Sequence, residues 1–242
     1  MKAHRIISSW NDLTNLLEDY REQGWLFRGE ADISHGNLKP KVGRVSKKSG
    51  SSRKYPYTFA DERRVFEDFK KTARPYLGIE PKSEIEWLSI AQHHGLPTRL
   101  LDWSASLFVA AFFAVEKAGK AEGAIYCIRG LDEINEQKEG QNALFDLNSV
   151  KTYRPPHISP RIPVQQSVFT IHPRPDKQFS HAALEVWQIK PDACWPIKRS
   201  LNAAGITYGS LFPDIDGICK YLAWLYKWSY FDGLKDSDRT YK

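Results

Sequence analysis

The sequence is poor in the residues that stabilise or catalyse in several common protein classes. Among its 242 residues only three are cysteines, Cys127, Cys194 and Cys219, and their spacing matches neither a CxxC pair nor a metal site. Because each cysteine stands among apolar residues, we predict buried free thiols in a reducing compartment rather than a disulfide framework.

Several catalytic motifs are absent as well. The chain contains no GxSxG, GxxxxGK(S/T) or GxGxxG, so nothing in it predicts a serine hydrolase, a P-loop enzyme or a Rossmann dinucleotide site. The adjacent His93 and His94 have neither an HExxH pattern nor a cysteine partner beside them, and we predict no metal site.

Long apolar segments are also missing. The longest run, residues 107–115, is well short of the ~20 residues that span a bilayer. The first residues, MKAHRIISSWNDL, lack the apolar core of a secretory signal. We therefore expect a cytoplasmic protein without a membrane partner.

Positive charge and aromatic residues are what the sequence has in excess. Lysine and arginine number 35 against 29 acidic residues, and 13% of the residues are aromatic. Residues 39–60 contain seven of the basic residues and no acid, and their serine and glycine content predicts a mobile loop. The charge favours an anionic partner such as a nucleic acid, a nucleotide or an acidic protein, although solvated surface charge is the simpler account of the loop.

Apolar periodicity predicts one α+β domain over residues 1–242, with a mixed or antiparallel sheet core flanked by helices. A first helix is expected at about residues 9–23, and the capping pattern SEIE opens another at residues 83–86, which Gly95 ends. Residues 105–117 are apolar on every face and predict a buried helix. Strands are expected in WLFRG, GAIYCI, VQQSVFTI and ALEVWQI, further helices in DERRVFEDFKKTAR, WPIKRSLNAAG and IDGICKYLAWLYKW, and an extended segment in KTYRPPHISPRIP.

Two basic residues lie where charge is costly to bury. Arg28 stands in the middle of WLFRG and needs a partner, either in a salt bridge with Glu62 or Asp102, or in an anionic ligand gripped by the guanidinium fork. Arg99 and Asp102 are three residues apart in HHGLPTRLLD. They form either a buried ion pair that holds the turn or part of a ligand or catalytic cluster.

Other polar residues admit two interpretations each. Ser104 and Ser106 precede the buried helix, where serine usually caps. Glu185 in ALEVWQI is either an exposed strand acid or a catalytic carboxylate. His93 and His94 occupy a last helical turn, where the helix dipole alone favours a cation.

Taken together, these segments resemble the FRG domain family. The triad Phe27-Arg28-Gly29 and the block AQHHGLPTRLLDW match its two leading signatures, and RIPVQQSVFTIHP and GSLFPDIDG resemble its later ones. The resemblance runs from about Trp25 to Leu222. The family name records a motif and implies no settled chemistry.

A more distant similarity is to ADP-ribosyltransferases of the arginine-serine-glutamate type, which implies an ADP-ribosyltransferase-like fold and NAD as substrate. By this resemblance Arg28 and Arg99 hold the pyrophosphate, and residues 102–106 line the nicotinamide pocket. The third-strand glutamate of those enzymes is missing, because Arg161, Gln165 and Gln166 occupy that region. The resemblance then leaves His94, Asp102 and Glu185 as candidate catalytic groups, and Phe27, Arg28, Gly29, His93, Arg99, Ser104, Gln166 and Phe169 as candidate NAD-binding residues.

The function expected from these resemblances is that of an NAD-dependent ADP-ribosyltransferase-like effector, a toxin or an antiphage protein. It would transfer ADP-ribose to a macromolecule, RNA or DNA before protein, and a neutralising antitoxin protein would accompany it. A non-catalytic module that senses a nucleotide or another ligand is the alternative, and a nuclease is the second. The enzymatic hypothesis predicts that Arg28, His94, Arg99, Asp102 and Glu185 converge on one cleft.

Overall fold

The computed structural model describes residues 5–35, 38–44, 46–47, 54–55, 58–78, 80–117, 121–135, 143–156 and 159–232. Within these residues seven strands form one sheet: β1 (Arg5–Ile7), β2 (Leu26–Glu30), β5 (Leu100–Ser104), β6 (Gly123–Ile128), β7 (Lys151–Tyr153), β8 (Ser167–Ile171) and β9 (Glu185–Ile189). The spatial order is β1-β9-β6-β2-β5-β8-β7, and every pair is antiparallel except the parallel β1 and β9. The predicted α+β class with a mixed, largely antiparallel sheet is confirmed.

Helices pack against the face of the sheet that carries Phe27, Leu100 and Phe169, and the face that carries Leu26, Leu101 and Val168 packs against residues outside the helices such as Leu38, Phe179 and Leu184. The helices are α1 (Trp10–Asp19), α2 (Phe59–Ala73), α3 (Glu84–His93), α4 (Leu107–Ala114), α5 (Ala143–Asp146), α6 (Arg161–Val164), α7 (Pro191–Ala203), α8 (Tyr208–Leu211) and α9 (Ile215–Asp232), with 3₁₀ turns at Ile33–His35, Lys41–Gly43 and Arg74–Tyr76. Side-chain oxygens of Ser9, Thr58, Ser83 and Ser106 cap the first four helices. None of the helices formed by the described residues is long and apolar enough to cross a membrane.

Three predictions of local structure were wrong. Helix α1 ends at Asp19 rather than near residue 23, and Gly24, at φ +94°, serves the following turn into β2. Residues 161–164 form a helix instead of an extended segment. The prolines before this helix and in its first turn have no N–H group, but the first N–H groups of a helix have no partner within it, so the prolines cost it no hydrogen bond. The basic segment 39–60 is not a loop throughout. It contains the Lys41–Gly43 turn, and its strands β3 (Ser46–Lys47) and β4 (Lys54–Tyr55) pair antiparallel. Residues 45, 48–53 and 56–57 lie outside the described residues.

The buried helix α4 sits directly on the sheet through two glycines. A Cβ on Gly29 of β2 would lie 1.9 Å from the carbonyl oxygen of Ala110, and one on Gly123 of β6 would lie 2.3 Å from that of Ala114. No side chain fits at either contact, so the glycine of the Phe27-Arg28-Gly29 triad is required by helix–sheet packing.

The sheet is nearly divided between β2 and β5. Their backbones are paired at Phe27 and Ser104, and within the described residues no further pair joins the two strands. By contrast, β5 and β8 pair over five residues, as do β2 and β6. The gap beyond Phe27 opens a cleft in the middle of the sheet.

Candidate functional site

The cleft has a volume of about 660 Å³ and lies where β2 and β5 separate. Strand β2 contributes Phe27, Arg28 and Gly29, β5 contributes Asp102, Trp103 and Ser104, and the end of α3 contributes His93 and His94. Arg161, Gln165, Phe169 and Phe212 also line the cleft, and the exposed residues Lys41 and Tyr76 lie at its rim. The volume falls within the range typical of small-molecule and cofactor sites.

Arg28 spans the gap in the sheet. Its Nη1 donates to the backbone carbonyl of Asp102 at 2.7 Å, while Nε and Nη2 donate to Glu30 Oε1 at 3.0 and 2.6 Å. The Asp102 carboxylate lies 3.8 Å from Nη1, so the partner expected there is present chiefly through its backbone, and the alternative partner Glu62 is not involved. These bonds use three of the five guanidinium N–H groups, and the side chain is 14% exposed.

A chain of hydrogen bonds within the HHGLPTRLLD block positions the Asp102 carboxylate. The backbone N–H of Leu100 donates to Thr98 Oγ1 at 3.1 Å, the Thr98 hydroxyl donates to Gln92 Oε1 at 2.6 Å, and Gln92 Nε2 donates to Asp102 Oδ2 at 2.9 Å. Thr98 and Gln92 are buried, whereas the Asp102 side chain is 58% exposed. Gly95, at φ +90°, reverses the chain after α3, as predicted, and brings Thr98 back over the helix end.

The two histidines differ in their surroundings. The His93 ring is half-buried, and its Nε2 lies 3.1 Å from Ser159 Oγ. Burial lowers the pKa of His93, and the nearby His94 and Arg161 lower it further. His93 is therefore neutral at pH 7, while the exposed His94 packs edge-on against it with ring centroids 5.0 Å apart.

The wall of the cleft formed by Arg161 and Gln165 is held by contacts to residues 211–214, between the end of α8 and the start of α9. Arg161 Nε donates to Asp214 Oδ2 at 2.9 Å, and the guanidinium lies 5.0 Å from the Phe212 ring centroid. Gln165 Nε2 donates to the Leu211 carbonyl at 2.8 Å, and its own carbonyl accepts from the Ser104 hydroxyl at 2.7 Å. These contacts fasten the wall to strand β5.

Arg99 does not lie in the cleft. It is fully buried, its Nε and Nη2 donate to the two Glu62 carboxylate oxygens at 2.9 and 2.6 Å, and Nη1 donates to the Leu144 carbonyl at 3.0 Å. The ring of Phe145 lies 4.4 Å from the guanidinium carbon. The buried ion-pair interpretation thus holds with a different acid: Arg99 ties β5 to α2 and α5, and Asp102 is not its partner.

Two further candidates lie elsewhere. Glu185 is on β9, separated from β2 by the whole of β6, and accepts a 2.6 Å hydrogen bond from the Tyr20 hydroxyl. Gln166 is exposed with φ 46°, and it contributes its carbonyl, which accepts from Ala105 N at 3.0 Å. The predicted convergence is therefore correct for Arg28, His94 and Asp102 and wrong for Arg99 and Glu185.

Several cleft residues were missed. Arg161 and Gln165 belong to the block RIPVQQSVFTIHP that had already been singled out, so that block contained a usable signal. Gln92, which supports Asp102 from outside the cleft, belongs to the AQHH segment in the same way. Lys41 belongs to the basic segment 39–60, whose charge had been noted, whereas Tyr76 carries no local motif that would have marked it.

Comparison with known proteins finds a family model that matches the segment containing part of this site. Residues 23–123 match the family model of the FRG domain; this segment is fewer than half of the 242 residues, and it includes β2, α3, β5 and α4. No curated protein and no solved structure matches the chain. Within the described residues, no group of three or more His, Cys, Asp or Glu side chains is arranged to hold a metal ion.

Proposed function

We propose, from the premise that residues 23–123 form an FRG domain, that the cleft binds NAD and that the protein is an ADP-ribosyltransferase. The observation that carries this proposal is that the Phe27-Arg28-Gly29 triad and the HHGLPTRLLDWS block, which lie on adjacent elements, both contribute residues to the lining of one cleft. The distant similarity to ADP-ribosyltransferases supports the same proposal. That similarity leads us to expect one nucleotide pocket formed by a strand that carries an arginine and a strand that carries a serine, and this expectation supports the proposal as well.

The charges of the cleft suit a pyrophosphate. Arg28, Lys41 and Arg161 line it, and Asp102 is the only carboxylate among the described lining residues. Guanidinium groups bind phosphate oxygens through paired N–H donors. Phe27, Phe113 and Phe169 supply apolar surface for the ring systems of a dinucleotide.

The chemistry follows from the groups around Asp102. In the reaction proposed here, the bond between the nicotinamide nitrogen and ribose C1′ breaks, and its electron pair leaves with neutral nicotinamide. The Asp102 carboxylate, preorganised by Gln92, stabilises the positive charge that develops on the ribose. A lone pair of the acceptor then forms the new bond to C1′, and its proton passes to the imidazole of His94.

The test uses substitutions that preserve shape. Asp102→Asn keeps an oxygen for the bond from Gln92 but removes the charge, and we expect a fall in kcat of about 100-fold with little change in NAD affinity. Thr98→Val disconnects Gln92 from its support and should cost about 10-fold in kcat, and Thr98→Ser should restore it. Asp132→Asn, at an exposed acid outside the cleft, is the matched control.

The assay measures nicotinamide release and transfer of label from NAD to macromolecules of a cell lysate. Wild-type protein that neither binds NAD, releases nicotinamide nor transfers label would overturn the proposal. The proposal includes a second protein that neutralises this effector. Growth inhibition of cells that express the effector alone is the first test of that part of the proposal.

A non-catalytic nucleotide sensor is the second candidate. It is favoured by the commitment of Arg28 to Glu30 and Asp102 and by the position of Glu185 outside the cleft. Binding of NAD or ADP-ribose without nicotinamide release, unchanged by Asp102→Asn, would support the sensor over the enzyme.

A further inference from the structure

We infer that the acceptor is a single-stranded nucleic acid, one base of which stacks on Tyr76 at the rim of the cleft. As an assignment of the acceptor, this inference rests on the proposed function. The binding itself requires no NAD and can be measured separately.

Tyr76 is held out into solvent. Its side chain is 87% exposed, the highest value among the large apolar residues that are exposed in the described chain. It ends the 3₁₀ turn Arg74–Tyr76, in which Pro75 restricts the backbone, and the next residue, Leu77, packs against the cluster around Phe66 and Trp87. The turn is thereby anchored on one side while the tyrosine ring projects from the other.

At this exposure the ring of Tyr76 contributes little to the packing of the described fold. In the described part of the chain, Tyr76 makes neither a hydrogen bond nor a ring contact, and yet it lines the cleft that contains Arg28 and Asp102. An exposed aromatic at the mouth of a polar cleft offers an unoccupied face for a planar group. Bases stack on such rings with about 1–3 kcal/mol each, whatever their sequence.

The charge at the same opening suits a phosphate backbone. Lys41 lines the cleft, is exposed, and its ammonium has no hydrogen-bond or ion-pair partner among the described residues. Arg28 and Arg161 lie further inside, each paired with an acid that does not line the cleft, Glu30 and Asp214, and Asp102 is the single acid among the described lining residues. An aromatic platform beside a cationic track is the combination that binds single strands, whose bases are free to leave a stack.

The experiment measures binding of a fluorescein-labelled 12-nucleotide single-stranded RNA to the full chain by anisotropy, without NAD. We expect Tyr76→Ala to weaken binding at least fivefold, the lower bound for one stacked base. Lys41→Ala should reduce the slope of log K against log salt by about 0.7, the contribution of one phosphate contact on a single strand. The controls are Tyr226→Ala and Lys190→Ala, which alter exposed residues outside the cleft and should change neither quantity.

The inference would be overturned if Tyr76→Ala and Tyr226→Ala changed the affinity for the single-stranded RNA equally. It would also be overturned if a duplex of the same sequence bound more tightly than the single strand. Absence of RNA and DNA binding together with transfer of ADP-ribose to a protein would also overturn it, while the proposed function stood. Conversely, Tyr76-dependent RNA binding without NAD turnover would refute the proposed function and leave the nucleic-acid site standing.

Discussion

Substitution of Gly29 by alanine isolates the structural part of the Phe27-Arg28-Gly29 triad. The added Cβ would meet backbone atoms of α4: the carbonyl oxygen of Ala110 at 1.9 Å and the amide nitrogen of Ala114 at 2.7 Å. Neither atom can rotate away as the end of a side chain can. Since real contacts of this kind are not shorter than 3.0 Å, the helix must move away from β2 by about an ångström or more.

That movement affects the most buried helix of the protein. Leu107, Val109, Ala110, Ala111 and Ala114 are all at most 4% exposed, and their packing against Phe27 and Ile125 would loosen. Overpacking in a core costs about 1–3 kcal/mol, and more when backbone must shift. We therefore expect Gly29→Ala to lower the free energy of unfolding by about 3 kcal/mol or more.

Urea unfolding followed by tryptophan fluorescence measures this loss, and a second glycine of the cleft provides the control. A Cβ on Gly78 would have nothing within 4 Å, so Gly78→Ala should stay within about 0.5 kcal/mol of wild type. A loss below 1 kcal/mol for Gly29→Ala would show that α4 is not seated as described. The glycine would then need a role in ligand binding instead.

Three further perturbations test single groups. Burial, followed by the charges of Arg28 and Arg99, lowers the pKa of His172 from 6.5 to about 3, so the unfolded chain binds this proton first as the pH falls. The contribution of neutral His172 to the free energy of unfolding is complete above pH 6.5 and declines towards pH 3 by about 1.4 kcal/mol per pH unit. His172→Gln should therefore make the urea midpoint depend less on pH between pH 7 and 4.5. Glu62→Gln leaves the charge of the fully buried Arg99 uncompensated and should cost about 3–5 kcal/mol in the same assay, and a cost below 1 kcal/mol would refute the importance of this pair. Glu30→Gln retains an acceptor for Arg28 but removes the negative charge, so calorimetry should show ADP-ribose binding several-fold tighter, and unchanged or weaker binding would contradict the electrostatic argument.

Much of the fold could be predicted because local patterns control it. The apolar stretch of α4 has no polar face, so burial was its only stable placement, and the strand GAIYCI is buried at all six positions. The reversal at Gly95 followed from residue types that favour a left-handed conformation. The parts of the site that lie within one such block, such as His94 and Asp102, were accordingly found together.

The errors about the site concern contacts between distant segments. Arg99 pairs with Glu62, 37 residues earlier, and no local pattern shows that α2 passes over the start of β5. Glu185 was named as a candidate because the third-strand glutamate of the resembled transferases is missing, but β6 lies between β9 and β2 in the sheet. Strand order is set by non-sequential pairing, which residue spacing does not encode.

Arg28 joins the structural and the proposed ligand-binding roles in one side chain. Its bond to the Asp102 carbonyl links β2 and β5, whose backbones pair only at the neighbouring residues Phe27 and Ser104 among the described residues. Loss of activity in Arg28→Ala would therefore be explained equally well by opening of the sheet and by loss of a phosphate contact. Glu30 neutralises part of its charge, and the N–H groups left over are those that a ligand can use. An anion entering the cleft must therefore share Arg28 with Glu30 and Arg161 with Asp214. A cation without an acidic partner among the described residues, Lys41, is needed to draw a pyrophosphate into the site.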